Sequence, residues 1–208
     1  PIFVLNGQTE ALTYGEVEVG DVMLRSSWTD STQTLHSNAK LIHEKDTLMR
    51  ANGHLRPDAG DEALQFEILT SQLRLDLAKP FYEDELYDVK GSFTARMFIN
   101  GSLENPRLTG RGKMINAVVG VSYFRQKFYL NDVVTFQKDA LVFNNFQIFD
   151  SPTRANGNGP SPRGKALLNG RVIHNGFSEV RLDLNFSVEQ GGHFQVMNTQ
   201  PPDNETFY

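Results

Sequence analysis

The sequence predicts an all-β protein built from an elongated, mostly antiparallel sheet, and three observations carry that reading. Apolar residues recur at every second place, most plainly at Val180, Leu182, Leu184, Phe186 and Val188, which alternate with Glu179, Arg181, Asp183, Asn185 and Ser187. A period of two belongs to a strand with one wet face. The dipeptide Asn-Gly occurs seven times, at Asn6, Asn52, Asn100, Asn156, Asn158, Asn169 and Asn175. It suits the positive φ angles of tight hairpin turns, so successive strands are expected to be antiparallel neighbours. Helical periodicity is scarce.

The elements follow in order. Residues 1–62 carry a strand-and-turn texture and are expected to run continuously into 63–208 as one structural unit. In "EALQFEILTSQLRLDLAKP", Leu69, Leu73 and Leu77 share a helical spacing while Leu73, Leu75 and Leu77 share a strand spacing; a strand and then one helical turn before Pro80 is the reading taken. Phe93, Ala95, Met97 and Ile99 line one face of the next strand. Val119, Val121 and Tyr123 line another. Leu141 and Phe143 share a face, with Phe146 and Ile148 resuming on the other, so a bulge or turn is expected at Asn144-Asn145. The Pro-, Gly- and Asn-rich stretch 150–164 reads as a loop between strands. Ala166, Leu168, Gly170 and Val172 resume the alternation, and the strand around Leu184 closes the series.

Composition bounds what such a sheet does. The 208 residues fit one large domain with a substantial core. Fifteen phenylalanines accompany a single tryptophan, Trp28. A net charge of −5 and the lack of any basic run argue against a nucleic-acid partner. With no cysteine, disulfide scaffolds and thiolate zinc sites are excluded. No apolar run approaches the ~18 residues of a membrane span, and the sequence reads as a piece of a longer chain, with any anchor or export signal upstream.

Catalytic and cofactor signals are weak. "GPSPRGKA" (159–166) has the spacing of a phosphate-cradling loop, but Ala166 replaces the hydroxyl that would hold magnesium and a strand follows. No two of His36, His43, His54, His174 and His193 stand at the close helical spacing of metalloprotease ligands. The acidic run Glu83, Asp84, Glu85 and Asp88 lacks the glycine-containing spacing of a calcium loop and reads as a solvated turn. No nucleophile elbow or dinucleotide fingerprint is present. Asn100, Asn185 and Asn204 begin glycosylation triplets and serve equally as turn and strand residues. The expectation is a protein without catalytic residues, metal or cofactor.

The oily face itself remains. Two fates fit it: a sandwich or barrel whose apolar faces bury one another, or a sheet bent lengthwise into an open trough. The trough would expose more apolar surface than soluble monomers usually do, and so calls for a guest. Lipid tails suit, since each methylene in water costs ~0.8 kcal/mol.

Residues 91–152, beginning "GSFTARMFINGSLENPRLTGRG", resemble the repeating unit of the TamB proteins, within the AsmA-like superfamily. The matching positions are Gly101, Leu103, Pro106, Leu108 and Gly110, then Tyr123, then Phe146, Ile148 and Asp150. The end of the chain is similar to the family's "DN-x-x-FYG", here Asp203, Asn204, Phe207 and Tyr208, in the form of Bacteroidetes-type members. The resemblance covers 63–208.

It implies a taco-like half-pipe with an apolar interior and no catalytic residues. It also implies a periplasmic, bridge-like protein, anchored in the inner membrane and working with an Omp85-type (TamA-like) outer-membrane barrel. Such proteins are implicated in moving phospholipid to the outer membrane and in assembling outer-membrane proteins. Alternation then nominates Phe93, Met97, Ile99, Val119, Val121, Leu141, Phe143, Val180, Leu182, Leu184 and Phe186 as the floor against which acyl chains would lie. A scaffold whose strand edges pair with outer-membrane protein clients is the alternative.

Overall fold

The computed structural model describes residues 2–14, 17–77, 86–151, 164–175 and 178–198; at 2, 14, 174, 175 and 178–180 only the backbone is described. Twelve strands follow one another: β1 (Ile2–Tyr14), β2 (Val17–Thr29), β3 (Thr34–His43), β4 (Asp46–Leu55), β5 (Leu64–Arg74), β6 (Leu86–Gly101), β7 (Pro106–Val121), β8 (Gln126–Leu130), β9 (Val133–Gln137), β10 (Ala140–Phe149), β11 (Lys165–Asn175) and β12 (Ser178–Ser187). All belong to one antiparallel sheet, in chain order. Among the described residues β1 pairs only with β2 and β12 only with β11, so the sheet ends in two edges and is neither a closed barrel nor a pair of stacked sheets. Short 3-10 turns occur at Asp30–Thr32 and Gly60–Glu62 and at 75–77, the last being the helical turn expected before Pro80. No α-helix is present among the described residues.

β8 and β9 together fill one strand position. Both β7 and β10 pair with β8 along one half of their length and with β9 along the other. The break between them, Asn131–Asp132, is held by Asp132. Its carboxylate accepts the N–H of Val133 at 2.7 Å and of Gln147 in β10 at 2.9 Å. Its backbone oxygen accepts the N–H of Met114 in β7 at 2.9 Å.

Neighbouring strands are irregular at the same level. Asn116 in β7 has φ 48 and Asn145 in β10 has φ 48. The β10–β11 register shifts between Phe143 and Phe146. Gln72 in β5 (φ 52) and Ala11 in β1 (φ 48) mark further shifts. At three of these bulges a side chain of the next strand takes the backbone N–H. Ala11 donates to Asp21 at 2.9 Å, Gln72 to Thr94 at 3.0 Å and Asn145 to Asn169 at 2.7 Å. Such bulges bend and twist their strands.

Several local expectations are corrected. The bulge at Asn144-Asn145 is present, but Phe146 and Ile148 lie on the same face as Leu141 and Phe143, because the extra residue inverts the parity. Asn6-Gly7, Asn52-Gly53 and Asn169-Gly170 stand inside β1, β4 and β11 instead of in turns. There the glycine serves close approach: a Cβ on Gly53 would come within 2.7 Å of the Phe66 ring. Asn100-Gly101 does end β6, and Asn175 ends β11. Asn156 and Asn158 lie outside the described residues. So do Pro80, Glu83, Asp84, Glu85, Asp203, Asn204, Phe207, Tyr208 and all of 152–163. β12 stops at Ser187, which leaves Val188 beyond the strand.

Candidate functional site: the apolar face of the sheet

Residues directly opposite one another in a sheet share a face, so register traces the apolar face from strand to strand. One rung crosses every strand position: Gly7, Leu24, Ala39, Ala51, Ile68, Met97, Gly110, Phe136, Leu141, Val172 and Leu182. It contains no polar side chain. At ~4.8 Å per strand it runs on the order of 50 Å.

The nominated floor residues gather on this face. Phe93, Met97 and Ile99 stand on β6. Val119 and Val121, opposite Phe128 and Gln126, stand on β7 beyond the Asn116 bulge. Leu141 and Phe143 face β11, and Leu182, Leu184 and Phe186 pair with Val172, Gly170 and Leu168. The side chain of Val180 lies outside the described residues. Tyr123, expected beyond Val121 on the same strand face, is 76% exposed in the turn after β7.

The face is packed unevenly. Toward the level of the Asn131–Asp132 break, β6 and β8 to β11 close on a core of Phe93, Ala95, Phe128, Val134, Phe146, Ile148, Ala166 and Leu168. Phe93 lies across Gly112 of β7, whose missing side chain lets the ring reach Phe136 edge-on at 5.9 Å. Elsewhere cover thins. Met97, Ile99, Leu141 and Phe143 are only half-buried. Leu182 and Phe186 are 64% and 40% exposed, and Phe3 and Leu5 at the β1 edge are 65% and 63% exposed. After β12 the chain returns over the face at the end where β7 turns into β8. Phe194 stacks on Phe128 at 5.8 Å. The N–H of Gln195 donates to the Asp150 carboxylate at 2.8 Å, and that of Asn198 donates to the Phe124 carbonyl at 3.0 Å.

The ion pairs of β5, β6 and β8 lie on the other face. Asp88 accepts from Lys127 at 2.6 Å and also pairs with Lys90. The hydrogen bond from Lys127, reinforced by Lys90, holds the Asp88 carboxyl below the usual carboxylate range and raises Lys127 in return. The hydrogen bond and charge of Asp76 raise Arg74 in the same way. His36 and His54 stand on opposite strands of the polar face, ring centroids 5.8 Å apart. No cluster of three or more metal-ligating side chains occurs among the described residues.

Sequence reasoning did not place Phe128, Val134, Phe136, Phe146 and Ile148 on this apolar face. They fall in short strands on either side of Asn131–Asp132 and Asn144–Asn145, where the alternation restarts out of phase. Comparison with known proteins finds no matching family model, no matching curated protein and no matching solved structure.

Proposed function

We propose that the chain is a non-enzymatic segment of a TamB-like, periplasmic bridge whose apolar face conducts phospholipid acyl chains between the inner and outer membranes. In this reading a segment outside the given sequence anchors it in the inner membrane, and an Omp85-type barrel receives it at the outer one. The observation that carries the proposal is the apolar rung, unbroken across every strand position of a sheet whose described strands do not close.

In this reading the bulges supply the bend. They cluster at one level of β5, β7 and β10 beside the Asn131–Asp132 break, so the strands bend along a line that crosses them. A sheet creased in that direction becomes a trough whose axis runs from strand to strand, parallel to the rung. Each acyl methylene laid on that floor recovers up to ~0.8 kcal/mol of hydration cost, without demanding a polar pocket or a reactive group.

Native mass spectrometry of the purified protein is the direct test, with co-purified phospholipid as the expected result. The variants Met97→Asp and Leu184→Asp are expected to keep their β circular dichroism and lose the lipid. Lipid-free wild-type protein that also fails to take up added phospholipid sinks the conduit.

A second reading, strand pairing with outer-membrane protein clients, draws on the β1 edge. That strand contains no proline or lysine, the usual edge guards, and it exposes Phe3, Val4 and Leu5. Photo-crosslinks from β1 to a client strand, in protein without bound lipid, would favour it.

A further inference from the structure

On the opposite face, one residue out of step with the apolar rung, register assembles a row that the sequence scatters: Gln8, Met23, Lys40, Arg50, Leu69, Arg96, Arg111, Thr135, Val142, Arg171 and Asp183. Lys40 stands directly opposite Arg50, and Arg96 directly opposite Arg111. Like charges directly opposite one another destabilise a sheet, so a surface selected for folding alone would avoid both pairs. Lys113 adds a further cation two residues along β7.

Neutralisation from within is sparse. Arg96 pairs with Glu67 at 2.6 Å, and Arg171 stands 3.9 Å from Asp183. Lys40, Arg50, Arg111 and Lys113 have no ion pair among the described residues. The chain as a whole carries −5, which makes a cationic row on one face a local choice. Leu69 and Met23 are 39% and 42% exposed within the same row. Beside it stand amides and imidazoles, Asn38 hydrogen-bonded to Asn52 and His36 facing His54.

We propose that this row is a docking strip for an extended, acidic polypeptide segment of a partner protein. Lys40 and Arg50 stand on neighbouring strands, as do Arg96 and Arg111, each pair ~4.8 Å apart, while same-side carboxylates of an extended peptide are about 6.7 Å apart. Long, flexible Lys and Arg side chains span that difference, so a peptide lying along the row brings acidic side chains within reach of both cation pairs. The flanking amides offer partners for its backbone, and Leu69 and Met23 offer contacts for an interspersed apolar residue. A lipid bilayer would be served by a broad cationic patch; this one is a file one or two residues wide. The proposal does not depend on the acyl-chain reading, since the two surfaces are back to back.

The test is fluorescence anisotropy of a labelled deca-glutamate peptide on the whole protein. Binding is expected at low salt and is expected to weaken as ionic strength shortens the screening length. The double variant Arg50→Glu/Arg111→Glu is expected to weaken it at least tenfold, while Lys45→Glu, in the β3–β4 turn, is expected to leave it within twofold. Uptake of a fluorescent fatty acid by the apolar face should be the same in all three proteins, which separates failure here from failure of the conduit. No peptide binding, equal loss in Lys45→Glu, or binding to phosphatidylglycerol vesicles in preference to the peptide would overturn the strip. If the double variant loses its β signal, the milder Arg50→Gln/Arg111→Gln pair decides by the same criterion.

Discussion

Asp88 shows how a single residue ties strands of this sheet together without entering its apolar face. It lies within β6, accepts a hydrogen bond from Lys127 on β8 and pairs with Lys90 on its own strand. Its folded-state pKa is lowered, chiefly by that hydrogen bond. The stabilisation is therefore fully present above the unfolded carboxylate value, ~4, and is lost as pH falls through the lower folded value. Lys127 mirrors it: its pKa is raised, so its share is present below the unfolded lysine value, ~10.4, and fades as pH climbs through the higher folded one. Asp88→Asn is expected to flatten the acid limb of a melting-temperature profile. An unchanged acid limb would show that the ion pair contributes nothing to folding. Gly112 is the matching case in packing, since any side chain there would meet the Phe93 ring. Gly112→Val should cost ~1–3 kcal/mol by overpacking, read from denaturant midpoints; a neutral result would mean that the ring has a second place to go.

At the scale of elements, Asp132 joins three strands through the acceptors of one residue. Replacing it with Ala leaves the N–H groups of Val133 and Gln147 without their acceptor. These groups are exposed, so water substitutes in part and a cost of about 1 kcal/mol is expected. Amide exchange at those two positions should accelerate, while exchange at the buried Ala166 stays slow. Uniform acceleration would instead mean that Asp132 supports the whole sheet. The same element shows what the sequence discloses. Strand identity is legible wherever alternation runs unbroken, as in β6 or β12. The face of each strand is legible only until a bulge. Asn144-Asn145 announces its bulge, because two polar residues separate two aromatics. Asn116 and Gln72 do not, because the extra residue shows itself only once a neighbouring strand supplies the register. Asn-Gly misleads for a related reason: the glycine that permits a turn also permits a ring to lie over a strand, as Phe66 does at Gly53.

The whole molecule places grease and charge one residue apart on strand after strand: Ala39 beside Lys40, Ala51 beside Arg50, Met97 beside Arg96, Gly110 beside Arg111 and Val172 beside Arg171. A one-residue slip of any strand would exchange the two faces, so register is strongly specified. Specification of register is separate from sealing of the apolar face, and residues of one apolar cluster differ in how far the second is achieved. Phe146 is 1% exposed, and its truncation to Ala should cost ~3–5 kcal/mol. Met97, half-buried in the same apolar cluster's margin, loses less contact with protein and more with any guest, so Met97→Ala should cost about 1–2 kcal/mol, short of the usual core value. Urea midpoints of the two variants, measured with and without added phospholipid, test this. Added lipid should raise the wild-type midpoint by linkage and should raise that of Met97→Ala by less. Equal costs for the two substitutions, with no response to lipid, would make the face a sealed core and leave the strands with nothing to carry.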